Sequence, residues 1–192
     1  MRCVIVPGNG CDDVFQSNWY SWLESRLRRE GRFTEVVLKQ MPDPLAARRK
    51  IWLPFLLSTL KADEQTVVVG HSSGAVAAMR LLEDHKVAGC VLVSACHTDL
   101  GDAGEARSGY YPPSGGEWQW DRICSNARGN IVQLHSDNDP FIPLAEAQHV
   151  ADSLGVQLRV HSGKSHFFGP CEELVEATYA ALDQAEAHAR AE

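Results

Sequence analysis

The sequence lacks a long apolar run near its beginning. Its first apolar stretch, "RCVIV", is only a few residues long and is followed at once by Pro7 and Gly8. A run this short fits neither the apolar region of a signal peptide nor a membrane span. The six cysteines, at positions 3, 11, 90, 96, 124 and 171, include no C-x-x-C pair and no zinc-like spacing. Both absences favour a reducing, intracellular setting, and we expect a cytoplasmic protein with no membrane association.

Positive charge is also scarce. The chain has 18 Lys and Arg against 25 Asp and Glu, a net charge of −7. Phosphate backbones bind basic faces, so nucleic acid is not expected as a partner. Internal repeats and low-complexity linkers are lacking as well. With 192 residues, of which 44% are hydrophobic, the sequence predicts one domain spanning 1–192 with one sizeable core.

Strand-like and helix-like segments alternate along the chain. The predicted strands are 2–6, 35–38, 66–70, 89–94, 130–135 and 156–161, and the predicted helices are about 17–30, 44–60, 73–85, 143–154 and 171–188. Most strands are nearly continuous apolar runs, which is typical of parallel strands covered on both faces. The last strand alternates more, as an edge strand does. We expect an α/β protein, a three-layer sandwich with a mostly parallel six-stranded sheet.

Two segments depart from this regular pattern. Pro54 lies inside the second predicted helix and should kink it or break it in two. Residues 97–121 contain several Gly, Pro and large aromatic residues and are predicted to form a long loop. This loop follows a strand end, so it should lie over the carboxyl edge of the sheet, where open α/β sheets bind ligands.

The segment "VVVGHSSGAVAAMR" carries a G-x-S-x-G pattern centred on Ser72. A strand precedes it and a helix follows it, which is the context of a nucleophile elbow. Gly70 and Gly74 then have a physical reason, because side chains there would collide with the turn or with neighbouring backbone. The alternative interpretation is an ordinary strand-to-helix turn with a serine N-cap.

A serine nucleophile needs a base and an acid, expected here in the order Ser, Asp, His. Asp137 and Asp139 follow the strand at 130–135, and His166 follows the strand at 156–161. All three loops leave the same edge of a parallel sheet, so these side chains can converge. The oxyanion requires backbone donors: the N–H of Ser73, and that of Asn9 with Gly10 as the alternative. A phosphate-binding loop at "GNGCDD" is excluded by its spacing and its aspartates.

Ten stretches of the sequence resemble one family. They are "VIVPGNG", "MPDP", "IWLPF", "GHSSGAVAAMR", "VLVSA", "DLGD", "SGYY", "WQW", "DPFIP" and "SHF", between residues 4 and 167. The chain is similar to the retinoblastoma-binding and YdeN-like serine hydrolases, which belong to the α/β-hydrolase superfamily and carry no cap domain. The resemblance implies Ser72 as nucleophile, His166 as base and Asp139, directly before "PFIP", as the acid. Esters and amino-acid amides or esters are the substrates it suggests.

The chain departs from the family in three places. The retinoblastoma-pocket motif L-x-C-x-E corresponds here to "LKADE", with Ala62 in place of cysteine, which argues against binding of retinoblastoma protein. Ser165 stands before His166, where the superfamily usually has glycine. The stretch "YYPPSGGEWQWD" is longer than expected and could change the pocket wall.

We therefore expect two-step acyl transfer through an acyl-enzyme, with no metal or organic cofactor. Candidate walls of a small pocket are aromatic: Trp19, Tyr110, Tyr111, Trp118 and Trp120. Asp12, Asp13 and Asp137 could hold a substrate amino group, which would favour aminopeptidase-like chemistry. The alternative function is a protein-interaction module that kept the hydrolase fold while its catalysis was lost or became secondary.

Overall fold

The computed structural model describes residues 1–191 of the 192-residue chain. Strands and helices alternate along these residues. The strands are β1 (Arg2–Val6), β2 (Glu35–Leu38), β3 (Thr66–His71), β4 (Gly89–Val93), β5 (Ile131–Ser136) and β6 (Leu158–His161). The helices are α1 (Tyr20–Glu30), α2 (Arg49–Ser58), α3 (Ser73–Leu82), α4 (Ala103–Ser108), α5 (Trp120–Asn126), α6 (Leu144–Leu154) and α7 (Glu172–Ala191).

The six strands form one sheet in the order β2-β1-β3-β4-β5-β6, and every neighbouring pair is parallel. The central strands are buried along nearly their whole length, which accounts for their continuous apolar sequences. β6 lies at an edge and is only partly covered, with the Val160 side chain exposed. The predicted edge position of the last strand is therefore confirmed.

Helices cover both faces of the sheet, so the predicted three-layer fold is confirmed. One core cluster joins the sheet to α2, α3, α5 and α6, and the other joins it to α1 and α7. All ten residues of α3 are buried. This explains its alanine-rich sequence, since small side chains allow a helix to lie close to the sheet.

The strand order places two loops side by side. The chain moves from β1 to β2 on one side and then returns to β3 on the other side of β1. The loops after β1 and β3 therefore leave the sheet in opposite directions at adjacent positions. They open a crevice at the carboxyl edge, where open α/β sheets bind their ligands.

The predicted long loop at 97–121 was wrong in part, because it contains α4 and the beginning of α5. α4 begins with an N-cap: the Asp102 carboxylate accepts hydrogen bonds from the N–H groups of Gly104 and Glu105. Of the two effects predicted for Pro54, a kink or a break in two, the break is wrong, since α2 runs from Arg49 to Ser58 with Pro54 inside it.

A buried arginine attaches this segment to α3. Arg80 donates hydrogen bonds to the carbonyl oxygens of Tyr110 and Gly116, each at 2.8 Å. Its guanidinium lies 3.6 Å from the centre of the Trp118 ring, and its charge is paired with the buried Glu83. These contacts satisfy an arginine side chain that is only 1% exposed.

None of the helices between residues 1 and 191 is both long enough and apolar enough to cross a membrane.

Candidate active site

Ser72 lies at the junction of β3 and α3 in a costly backbone conformation. Its φ is 55° and its ψ is −121°. Non-glycine residues adopt such angles at a cost of about 1–3 kcal/mol, and they do so mostly at functional sites. The Ser72 side chain makes no capping hydrogen bond within α3, whose residues are all described. The conformation therefore fits a nucleophile elbow better than an ordinary N-cap.

Three glycines give the elbow its space. A Cβ on Gly70 would lie 2.5 Å from the carbonyl oxygen of Gly74, and a Cβ on Gly74 would lie 2.5 Å from that of Pro7. Both distances are far below van der Waals contact. A Cβ on Gly8 would lie 3.2 Å from the Cβ of Ser72. The loop after β1 thus passes directly beside the elbow, as the strand order requires.

Asp139 and His166 form a hydrogen-bonded pair. The distance from His166 Nδ1 to Asp139 Oδ2 is 2.7 Å, and the two side chains are 8% and 1% exposed. The other carboxylate oxygen accepts the N–H groups of Phe141 and Ile142 at 2.9 and 3.0 Å. Burial alone would raise the pKa of Asp139, but the bonds from His166 and the two N–H groups outweigh it and lower the pKa. Asp139 is therefore ionised and fixes the orientation of the His166 ring.

Asp137 points elsewhere. Its carboxylate is exposed and accepts the N–H of Gly163 at 2.9 Å, which stabilises the turn before His166. That hydrogen bond lowers the pKa of Asp137. Of the two aspartates that the sequence left open, the structure places Asp139 against the His166 ring.

A cavity of about 550 Å³ opens at the carboxyl edge of the sheet, and both Ser72 and His166 line it. Its walls come from the loop after β1, the start of α1, the elbow, residues 96–111, and the loops that carry Asp139 and His166. Phe141 and Phe168 flank the His166 ring, with ring centres 5.2 and 5.6 Å away. A substrate in this cavity would meet Ser72 and His166 together.

The backbone N–H groups expected to hold an oxyanion differ in whether they already donate a hydrogen bond within the protein. That of Gly10 donates to the carbonyl of Pro44 at 2.9 Å. Within residues 1–191, the N–H of Asn9 has no acceptor, and Ser73 begins α3, where N–H groups lack intrahelical partners. Asn9 and Ser73 both line the cavity, which favours Asn9 over Gly10 as the donor from the first loop.

The aromatic residues expected in the pocket wall lie elsewhere, with one exception. Trp19 and Tyr110 are fully buried in the core. Trp118 and Trp120 stack on each other and line a second cavity of about 380 Å³. Only Tyr111 contributes to the cavity beside Ser72. For Tyr110, Trp118 and Trp120 the physical reason is the Arg80 attachment, which draws the aromatic part of 97–121 toward α3 and leaves α4 facing the crevice. Trp19 instead packs against the rings of Tyr20 and His71.

Sequence reasoning missed the acidic side chains of the cavity, Asp102 and Glu105. Glu105 accepts hydrogen bonds from the Asn9 side chain at 2.7 Å and from the Tyr111 hydroxyl at 3.3 Å. Burial raises the pKa of Glu105, and these bonds offset the effect in part. The D-x-x-E spacing at 102–105, which is typical of a helix N-terminus, was the signal that could have placed both residues on a short helix.

Asp12, Asp13 and Asp137, expected to attract a substrate amino group, are exposed and belong to other surfaces. Residues 1–191 contain no group of three or more His, Cys, Asp or Glu side chains arranged to hold a metal ion. All six cysteines, which lie within the same residues, are free thiols.

Comparison with known proteins gives consistent matches. The model of the serine hydrolase family matches residues 3–173. Serine hydrolase RBBP9 of Rattus norvegicus is 46% identical over 166 residues, covering 86% of this chain and 87% of the rat protein. The crystal structure of the ydeN gene product of Bacillus subtilis superposes with a TM-score of 0.79 at 22% identity, covering 95% of this chain and 98% of that one. A carboxylesterase structure from Nitrososphaera gargenis has a TM-score of 0.66 at 12% identity, covering 97% and 91%.

Proposed function

The chain belongs to the serine hydrolase family, and we propose that it cleaves small esters or amides with Ser72 as nucleophile, His166 as base and Asp139 as acid. The observation that carries this proposal is the Asp139–His166 pair beside the cavity that Ser72 lines. The strained backbone of Ser72 supports the same assignment.

The proposed reaction has two steps. His166, held by Asp139, takes the proton from Ser72 Oγ as that oxygen attacks the substrate carbonyl carbon. The proton then passes from His166 to the leaving alcohol or amine, and the acyl group remains on Ser72. Water repeats the sequence, with His166 again accepting a proton, and the carboxylic acid is released. No metal or organic cofactor enters this scheme.

The N–H groups of Asn9 and Ser73 are the proposed oxyanion donors, since both face the cavity and neither donates elsewhere within residues 1–191. The N-terminus of α3 adds a positive dipole end beside Ser73. In comparable sites, each fixed donor of this kind lowers the activation free energy by about 2.7–4 kcal/mol.

Charge in the cavity bears on the substrate class. Among residues 1–191, the only carboxylates that line the cavity are those of Asp102 and Glu105, and no lysine or arginine of this part of the chain lines it. A free carboxylate on the substrate would be repelled, whereas an amino group would be attracted. We therefore include aminoacyl esters and amides among the proposed substrates, with Glu105 in place of the aspartates expected from the sequence. Small molecules, rather than a protein partner, are the proposed ligands.

Binding of retinoblastoma protein is not part of the proposal. Leu60 and Ala62 of the "LKADE" stretch are both buried in the core. A peptide motif of this kind is read by a partner as an exposed, extended segment.

A fluorophosphonate probe tests the proposal. Labelling of the wild-type protein should be abolished in Ser72→Ala and retained in Ser73→Ala, because Ser73 acts through its backbone N–H. The two variants are matched, since each removes a single serine hydroxyl and the two serines are adjacent in the chain. Absence of labelling in a folded wild-type protein would contradict the proposal and favour the alternative, an interaction module on a hydrolase fold.

A further inference from the structure

Buried hydrogen bonds link three of the loops around the cavity. The Tyr20 hydroxyl oxygen lies 2.9 Å from the backbone nitrogen of Gly8, 3.0 Å from the side-chain amide nitrogen of Asn18 and 2.7 Å from His71 Nδ1. His71 Nε2 lies 2.9 Å from the backbone oxygen of His166. Tyr20 and His71 are 0% and 1% exposed.

The chemistry of these atoms fixes the direction of each bond. The His166 carbonyl can only accept, so His71 carries its proton on Nε2. In a neutral imidazole Nδ1 is then an acceptor, and the Tyr20 hydroxyl must donate to it. The N–H of Gly8 and the amide of Asn18 donate to the two lone pairs of the hydroxyl oxygen. Each polar atom of the two side chains is therefore satisfied, which is required of a buried polar network.

We propose that Tyr20 and His71 are positioning residues that hold the oxyanion donor, the nucleophile and the base in their working arrangement. Gly8 directly precedes Asn9, His71 directly precedes Ser72, and the His166 backbone carries the base. The network thus joins the three loops at the base itself and at the residues directly before the oxyanion donor and the nucleophile. This inference rests on the proposed function and adds two residues to it.

The loop that carries His166 needs such support. Ser165 and Phe167, on either side of His166, have φ values of 53° and 51°. These are left-handed conformations that cost non-glycine residues free energy, and they persist only where the surroundings hold them. Asp139 fixes the ring of His166 from one side. The bond from His71 fixes its backbone.

The network keeps one protonation state across the pH range in which a serine hydrolase works. Burial first, and the neighbouring His166 second, lower the pKa of His71 to about 3. His71 therefore stays neutral and keeps Nδ1 as the acceptor for Tyr20. Trp19 packs against both rings, with centre distances of 4.8 and 5.5 Å, and excludes water from them. This packing is the role that the structure gives Trp19 instead of a place in the cavity wall.

Tyr20→Phe removes the hydroxyl and leaves the ring in place. We expect kcat to fall about 10-fold to 100-fold, as when reacting groups are misplaced by an ångström or less, with KM changed by less than about threefold. The matched control is Tyr179→Phe on α7, whose exposed hydroxyl bonds Glu30 at 2.6 Å far from the cavity. A Tyr20→Phe variant with wild-type kcat would overturn the proposal, whatever its melting temperature.

A second variant separates positioning from general stability. His71→Gln retains an amide N–H for the His166 carbonyl but offers Tyr20 no imidazole acceptor. If the pair acts as one unit, the losses in kcat of Tyr20→Phe and His71→Gln should be clearly less than multiplicative in the double variant. Independent, multiplicative losses would contradict a common unit. Ser72→Ala, assayed on the same substrate, tells failure of this inference from failure of the proposed function. If Ser72→Ala stays active, the proposed function is wrong. If it is inactive while Tyr20→Phe behaves as wild type, only the positioning role is wrong.

The wild-type protein provides a test that needs no variant. Imidazole nitrogen NMR should show His71 neutral, with its proton on Nε2, from about pH 5 to pH 8, the range in which ordinary histidine titrates. A proton on Nδ1, or titration of His71 within this range, would overturn the assignment even if Tyr20→Phe fails to fold.

Discussion

Replacing Asp139 with asparagine tests the proposed triad most sharply. The Oδ1 atom of Asp139 accepts two backbone N–H groups, from Phe141 and Ile142, and Oδ2 accepts from His166 Nδ1. Asparagine has one oxygen, and the two backbone donors will keep it. Its NH₂ group then faces His166 Nδ1 and cannot accept a proton from it. His166 must move its proton to Nε2, the nitrogen that should receive the Ser72 proton.

The expected loss follows from this wrong tautomer. We expect kcat to fall by about 10⁴-fold, which corresponds to about 5.4 kcal/mol in the activation free energy. The melting temperature should change little, because both backbone bonds are retained and the bond to His166 is only reversed in direction, with the new NH₂ group donating to Nδ1. The assay is steady-state hydrolysis of a p-nitrophenyl ester together with a thermal unfolding scan.

Asp137→Asn is the matched control, two residues away on the same loop. An amide oxygen can accept the N–H of Gly163 as the carboxylate does. The side chain is exposed, so activity should stay within about twofold to threefold of wild type. If Asp137→Asn lost more activity than Asp139→Asn, or if Asp139→Asn kept a tenth of the wild-type rate, the assignment of the acid would be wrong.

Two further predictions concern charge. Glu105→Gln keeps the acceptor for Asn9 but removes the negative charge, so KM should rise about 10-fold for aminoacyl-p-nitroanilides and little for neutral esters; an equal change for both substrates would exclude recognition of the amino group. Acid should destabilise the protein, because burial lowers the pKa of His71 from 6.5 to about 3 and lowers that of His135 as well. Between pH 6.5 and about 3 the unfolded chain binds protons that the folded protein does not. Stability therefore rises with pH and should fall on acidification by up to about 1.4 kcal/mol per pH unit for each histidine. Urea unfolding at pH 7, 6 and 5 measures this slope, and a flat profile would contradict it.

The sheet and its covering helices could be predicted from the sequence, because long buried segments have strong apolar patterns. The strand bounds differ from the prediction by at most two residues at either end. The short helices α4 and α5 were not predicted, since each spans fewer than eight residues in or beside a segment with several Gly and Pro, and only the Asp102–Glu105 spacing signals α4. Their place is decided by the distant Arg80 side chain.

The order of the loops along the chain was enough to predict which residues could meet at the sheet edge. The loop order could not predict which of two neighbouring residues faces the site and which faces the core. Trp19 and Tyr20 are adjacent, yet Trp19 lies wholly in the core and the Tyr20 hydroxyl reaches the elbow. The partner of Tyr20 is His71, far along the chain, and a sequence pattern does not report such a contact. Pocket walls are decided by packing of this kind, which is why the aromatic prediction failed.

The attachment of residues 97–121 by Arg80 has a consequence for sequence divergence. Apart from the stacking on Trp118, Arg80 holds the segment through main-chain carbonyl oxygens, those of Tyr110, Gly116 and Glu117. Every amino acid offers the same carbonyl. The side chains of α4 that face the cavity can therefore be exchanged during evolution, or in a designed library, without loosening the attachment. Variation at 99–107 is where relatives of this protein should differ most in the substrates they accept.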